Sequence, residues 1–258
     1  MDAVVTAGGR VKGELAELTG QSIKCLIEFD GRRLIDIVLD ALHGAAGVDR
    51  VCVVGPPEIR DSLLLTAEDL WVDELDSGHA NFLLGLRTVS PAAQVVFATS
   101  DLPFVTSAAI DDLLGRCRPG YGVQFPAFTR EEVRARFPHE ANSYVRLVDG
   151  DLTGSSVIVF EPASVLAQAP AIEALFNARK DFLKLARIVG LDVGLRLLAT
   201  MKFKKRLLSV DRLERRIGRV AGFPVRAVRG CDPGLGYDID HERDWAECQT
   251  HLAAHPRG

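Results

Sequence analysis

Short apolar runs alternate with amphipathic stretches through the first hundred residues, and this alternation constrains the fold more than any other feature of the chain. Ala3-Val4-Val5-Thr6 has the uncharged, β-branched character of a buried strand. Leu34 to His43 sets Leu34, Ile35, Val38, Leu39 and Leu42 at helical spacing, and Arg50 to Val54 reads as a second strand. A helix near Glu58 to Leu65, a strand at Leu70 to Val72, a helix near Ala80 to Thr88 and a strand at Gln94 to Thr99 continue the series. Strands separated by helices pair in parallel, through right-handed crossovers. The expected fold is α/β: a doubly wound, mostly parallel sheet whose ligand crevice lies outside the carboxyl ends of its strands.

From Gly122 to Phe160 the texture changes to strand-like pieces, Gly122 to Phe125, Tyr144 to Val148 and Val157 to Phe160, joined by turns such as Asp149-Gly150-Asp151. This predicts a small hairpin lobe over about 122–160. Residues 162–222 read as mostly helical and form a basic insert, Pro224 to Val228 returns to strand, and a last helix starts near His241. Without a repeat or long linker, residues 1–258 are expected to form a single domain.

Composition excludes several classes. Hydrophobic residues make up 47% and charged residues 26%, which is ordinary for a globular chain and unlike a disordered one. The richest apolar run, Val189 to Met201, is interrupted by Asp192 and Arg196, so no membrane span is expected. The strand pattern begins at once after Met1, without the basic leader of a secretory signal, which predicts a cytoplasmic protein. Cys25, Cys52, Cys117, Cys231 and Cys248 are widely spaced, contain no C-x-x-C pair, and read as reduced thiols. Charge is more informative when divided. Arg179 to Arg219 holds thirteen Lys or Arg against four Asp or Glu, a local +9 in a chain of net −4, which leaves −13 elsewhere. Such a segment suits an anionic ligand, or alternatively a solvated helical surface.

Three segments carry candidate chemistry. Directly after the first strand, Thr6-Ala7-Gly8-Gly9-Arg10-Val11-Lys12-Gly13 combines glycines that let backbone N–H groups approach an anion with the charges of Arg10 and Lys12. It is neither the G-x-G-x-x-G fingerprint nor a P-loop, so a phosphate cradle and a plain turn both fit it. Lys24 precedes the Asp30-Gly31 turn that opens the first helix, near the same loop. Asp101, in Ser100-Asp101-Leu102-Pro103-Phe104, falls just past the end of a buried strand, where a hard cation could join a carboxylate to phosphate oxygens. In Asp238-Ile239-Asp240, continued strand geometry would turn both carboxylates to one face, whereas Asp240 is equally well placed to cap the last helix.

Together these segments resemble the MobA-like nucleotidyltransferases, the GT-A-type nucleoside triphosphate transferases. The resemblance rests on Ala7-Gly8-Gly9-Arg10, Lys24 with Ile27 to Leu34, Ser77-Gly78-His79-Ala80-Asn81, Ser100 to Phe104, and Asp238 to Asp240, in that order. It implies a GT-A or Rossmann-like three-layer fold and nucleotidyl transfer from a nucleoside triphosphate to a phosphorylated small-molecule acceptor, with release of pyrophosphate. It further implies Arg10, Lys12 and Lys24 as the catalytic cations and Ala7, Gly8, Gly9, Ser77, Gly78 and Asn81 as nucleotide-binding residues. Asp101 and Asp240 would hold Mg²⁺. Phosphoryl-type transfer needs positioning and charge neutralisation above all, and cations beside a glycine loop supply both.

The chain departs from the family pattern in two places. The family has a Ser and an Arg-Met-Gly soon after its paired glycines; here Val11 to Ile23 forms a longer loop, which leaves Lys12 as the candidate for that Arg. Thr153-Gly154 is followed by Ser155-Ser156 where the family has Gly-Asn on the acceptor side. Two alternative functions remain, a GT-A glycosyltransferase using a nucleotide sugar and a non-catalytic nucleotide-binding or membrane-surface module. A membrane contact would use the basic segment 179–219. Nucleic acid is not an expected partner, because that segment offers only Phe182 and Phe203 to stack bases.

Overall fold

The structure is a computed structural model and describes residues 1–89, 92–140, 142–178 and 206–254. The chain runs through β1 (Asp2–Thr6), α1 (Glu14–Thr19), β2 (Glu28–Phe29), β3 (Arg32–Arg33), α2 (Leu34–His43), β4 (Arg50–Gly55), β5 (Leu70–Asp73), α3 (Gly78–Val89), β6 (Val95–Thr99) and α4 (Ser107–Arg116). It continues with β7 (Val123–Pro126), β8 (Phe128–Thr129), α5 (Arg130–Arg136), β9 (Val145–Leu147), β10 (Gly150–Thr153), β11 (Val157–Phe160), α6 (Pro162–Ala167) and α7 (Ala169–Ala178). The last elements are α8 (Val210–Ala221), β12 (Val225–Val228) and α9 (Glu242–Ala254).

Seven strands form the central sheet in the order β12-β7-β11-β6-β1-β4-β5. β1 pairs in parallel with β4 and β6, β4 with β5, and β12 with β7, while β11 runs antiparallel to both β6 and β7. The sheet is thus doubly wound and mostly parallel, as the alternation predicted. Side chains on successive residues of a strand point to opposite faces. Ala3 and Val5 of β1 accordingly join the core under α2, α4 and α9, whereas Val4 joins the core under α3. Burial on both faces explains why β1 reads as a continuous apolar run.

α2 is amphipathic by sequence. Leu34, Ile35, Ile37, Val38, Leu39, Ala41 and Leu42 are buried, and each large one contributes about 1.5–3 kcal/mol of burial. Asp36 sits in its first turn and binds Arg33 at 2.6 and 2.8 Å, a favourable charge at a helix N-terminus. On the other face, α3 approaches β1 closely because Gly85 lacks a side chain: a Cβ there would lie 2.4 Å from Val4 Cγ1.

Several local expectations are corrected. Glu58 to Leu65 forms no α-helix; Pro57–Ser62 is a 3-10 turn, and Leu63 to Leu65 leaves it. Pro57 begins the segment with its φ already fixed, Leu63 is extended, and Leu64 is exposed, so the apolar spacing does not continue as an α-helix. The expected hairpin lobe is smaller than 122–160, since β7 and β11 are strands of the central sheet and only β8, β10 and β9 make a separate three-stranded sheet. Of the basic insert, 179–205 lies outside the described residues, and with it Phe182, Phe203 and the cluster Lys202 to Lys205. Its described end packs on this small sheet: Arg206 donates to Asp151 at 3.0 Å and the α8 N-terminus uses Asp149 at 2.8 Å. Among the described residues no helix is long and apolar enough to cross a membrane.

Candidate active site

The register of the central strands sets the site. Thr6 of β1 lies opposite both Val54 of β4 and Thr99 of β6, so the loops leaving β1 and β6 emerge side by side. Between them is a cavity of about 680 Å³. Gly8, Gly9 and Arg10 form one wall, Glu74 to Gly78 with Asn81 another, and Thr99, Ser100 and Asp101 the floor. Ala7 is fully buried and reaches the loop only through its backbone, where its N–H donates to Val54. Lys12 is exposed and does not line this cavity.

Lys24 arrives from fourteen residues beyond Arg10. The intervening excursion, which carries α1, closes through a bridge between Arg10 and Ile23, and the Lys24 N–H donates to the Gly9 carbonyl at 2.9 Å. Gly9 allows this approach, because a Cβ on it would sit 3.3 Å from Lys24 Cβ. Thus the long loop unlike the family pattern still returns the lysine to the glycine loop.

The Lys24 ammonium forms ion pairs with both Asp101 and Asp240. Burial alone would lower its pKa, but the attraction of Asp101 and Asp240 outweighs that and holds it above the ordinary lysine value. Asp238 completes the group: ligand oxygens of Asp101, Asp238 and Asp240 all lie within 4.8 Å of one another. Residues 237–240 form no strand, yet they keep its alternation, with Tyr237 and Ile239 buried and Asp238 and Asp240 turned the other way. The Ile239 N–H donates to the Asp101 carbonyl at 3.3 Å, and Tyr237 packs against Phe104 and Phe137 at 5.4 and 4.4 Å between ring centres. These contacts hold the two segments together.

Asp238 is the residue the sequence left undecided. Its carboxyl is pushed up to about 7 by burial and by its neighbours Asp101 and Asp240, with Lys24 and the Ser156 hydroxyl opposing. At the start of α9, Asp244 accepts from the N–H groups of Asp240 and His241 at 3.1 and 2.8 Å, while the Asp240 carboxylate pairs with Lys24.

A divalent cation fits this donor set. Among the described residues Asp101 Oδ1 is buried without a hydrogen-bond partner, and a hard cation bound by carboxylate oxygens would satisfy it while relieving the repulsion among the three acids. On the far side of the acids, a second cavity of about 350 Å³ is lined by Asp238, Asp240, Ser155, Ser156, Asn142 and Arg243, among others. The acidic group thus stands where two cavities meet.

On the wall opposite the glycine loop, Ser77 accepts from the Ala80 N–H at 3.3 Å and so starts α3, whose N-terminus lines the larger cavity. Buried Asn81 is oriented by the Leu75 N–H, which donates to its Oδ1 at 2.6 Å. Glu74 was not anticipated. No local pattern marks it, and only the fold brings it over Gly8, where a Cβ would meet its Oε2 at 1.8 Å.

The sequence profile of the MobA-like NTP transferase domain matches residues 3–183. The chain belongs to that family. As a MobA-like NTP transferase it is a nucleotidyltransferase, and the glycosyltransferase alternative gives way. Among solved structures it is similar to a hypothetical transferase from Thermus thermophilus, with 30% identity and a TM-score of 0.80 over 94% of this chain and 98% of that one. A 4-diphosphocytidyl-2C-methyl-D-erythritol synthase from Anaerococcus prevotii shares the fold at 13% identity, with a TM-score of 0.60 over 98% and 95%. So does a CMP:2-keto-3-deoxy-manno-octonic acid synthetase complexed with CTP, at 13% identity and a TM-score of 0.56 over 98% of each chain. No curated protein matches the sequence.

Proposed function

We propose that this protein transfers a nucleoside monophosphate from a nucleoside triphosphate to a phosphorylated small-molecule acceptor, in the cytoplasm and with Mg²⁺. The observation that carries this reading is the acidic group at the junction of two cavities, with the partnerless oxygen of Asp101 inside it.

In this reading the larger cavity takes the triphosphate. Backbone N–H groups at Gly8 and Gly9 face its phosphates, Arg10 and Lys24 neutralise their charge, and Ser77, Gly78 and Asn81 border the nucleoside. Lys12, exposed and outside the cavity lining, is assigned to attracting the incoming ligand. Asp101 and Asp240, joined by Asp238, hold the cation, which when bound supplies charge neutralisation at the α-phosphate and the pyrophosphate. An acceptor phosphate oxygen in the smaller cavity forms the new bond to the α-phosphorus. The bond from that phosphorus to the bridging oxygen breaks, and pyrophosphate leaves with the electron pair. The acceptor phosphate is already anionic, so no side chain need remove a proton.

The relatives support the class of donor, since one solved neighbour carries CTP. The choice of acceptor rests on the chain's own residues, and the +9 segment 179–219 is assigned to attracting it. A thermal-shift panel of the four ribonucleoside triphosphates, with and without Mg²⁺, tests the reading. A triphosphate that binds the folded state raises its melting temperature, and a flat response to all of them overturns the proposal.

A further inference from the structure

We infer that Lys24 and the divalent cation occupy the same place in turn, so that metal binding releases the lysine ammonium from the acids toward the triphosphate. The inference rests on the metal reading proposed above and concerns the order of events within that site.

Lys24 is ion-paired with Asp101 and Asp240 together, two of the three carboxylates whose ligand oxygens lie within 4.8 Å. It is the counter-ion of a group of three acids of which Asp101 is buried, Asp238 half-buried and Asp240 exposed. A dication bound by those same oxygens repels an ammonium at that distance, and each satisfies the carboxylates in place of the other. The ammonium also fills the site incompletely, because Asp101 Oδ1 stays buried and partnerless beside it. A cation with several coordination positions reaches an oxygen that the lysine leaves orphaned.

The lysine has somewhere to go. Its backbone is anchored, with its N–H on the Gly9 carbonyl at 2.9 Å, and its stem passes against Gly9. Lys24 lines the larger cavity together with Gly8, Gly9 and Arg10. Rotation about its side-chain bonds therefore moves the charge from the acids to the phosphate side without moving the main chain. Arg10 is held in a similar way by Glu74, at 2.5 Å, so both cations assigned to the triphosphate are engaged by carboxylates in the free protein. Metal and triphosphate then bind with positive coupling. Each frees a partner for the other, and the coupling is reciprocal.

The test follows Mn²⁺ binding to nucleotide-free protein by electron paramagnetic resonance, with inorganic tripolyphosphate as the second ligand. Lys24→Met is expected to bind Mn²⁺ at least about 10-fold more tightly than wild type in the absence of tripolyphosphate, and to lose most of the coupling between the two ligands. Lys24→Arg, which keeps the charge, is expected to bind Mn²⁺ no more tightly than wild type. A second measurement uses wild-type protein alone. Amine labelling of Lys24, read by mass spectrometry, is expected to accelerate several-fold when Mn²⁺ is added. Equal Mn²⁺ affinity in wild type and Lys24→Met, or a labelling rate indifferent to metal, overturns the exchange while leaving the metal site standing. Absence of Mn²⁺ binding in every protein, even with tripolyphosphate, overturns the metal reading and the exchange with it.

Discussion

Glu74 Oε1 accepts a hydrogen bond from Arg10 Nη2 at 2.5 Å, across a separation of 64 residues. Arg10 is the cation of the glycine loop, and its second nitrogen is turned back on the Gly8 carbonyl at 2.7 Å. In the free protein, then, the arginine is spent on the wall of the cavity.

Glu74→Gln is accordingly expected to strengthen binding of inorganic tripolyphosphate by roughly two- to five-fold, the range of a half-exposed ion pair. Tripolyphosphate has no base or ribose, so calorimetry with it isolates the phosphate side. Weaker binding in the variant would assign Glu74 to positioning Arg10 for the phosphates.

Asp101→Asn and Asp240→Asn are each expected to lower turnover by about 100-fold or more while leaving the circular dichroism spectrum unchanged, since a neutral amide is a poor ligand for a hard dication. Pyrophosphate release is the readout. Near-normal turnover in Asp240→Asn would move the metal role to Asp238.

Asp238 carries a pH signature. Its carboxyl is pushed up to about 7, so between about pH 4 and pH 7 the folded protein keeps a proton that the unfolded chain has lost. Stability from this group therefore falls as pH rises through that window and levels off above it. In metal-free protein Asp238→Asn removes this decline, so the Tm of the variant relative to wild type should rise between pH 5 and pH 8. A constant difference across that range would count against the raised carboxyl.

Two glycines should respond in opposite directions to alanine. At Gly85 a Cβ would meet Val4 Cγ1 at 2.4 Å, and the overpacked interface between α3 and β1 should cost about 1–3 kcal/mol. At Gly115, in α4, a Cβ meets nothing within 4 Å, and alanine should add about 0.4–1 kcal/mol through helix preference and a less flexible unfolded chain. Urea unfolding of the two variants checks both signs.

Tyr237→Ala is expected to destabilise by about 3–5 kcal/mol, because a buried ring packed on Phe104 and Phe137 leaves a cavity. It should also weaken Mn²⁺ binding, since those contacts hold Asp238 and Asp240 opposite Asp101. Loss of stability with unchanged metal affinity would separate packing from positioning.

The sequence by itself determined what depends on near neighbours. Leu34–His43 is the helix its spacing predicts, β1, β4, β5 and β6 lie where short apolar runs stand, and the glycine loop and Asp101 follow strands, as local punctuation indicates. The tertiary structure alone decided what depends on distant partners. β11 has the composition of a central strand, but that it runs antiparallel to both β6 and β7 is written only in its tertiary partners. Asp238, Asp240 and Asp244 are three acids within seven residues, and nothing local distinguishes their roles. That Asp238 and Asp240 face the site is settled by Tyr237 and Ile239 packing inward and by the Ile239 N–H that donates to the Asp101 carbonyl. Glu74 and Arg10, or Lys24 and Asp240, carry no sequence signal of their pairing. Charge attracts over distance without regard to spacing, and it takes the pairing of β1 with β4 and β6, of β4 with β5, and the docking of Ile239 on Asp101 to bring those side chains within reach.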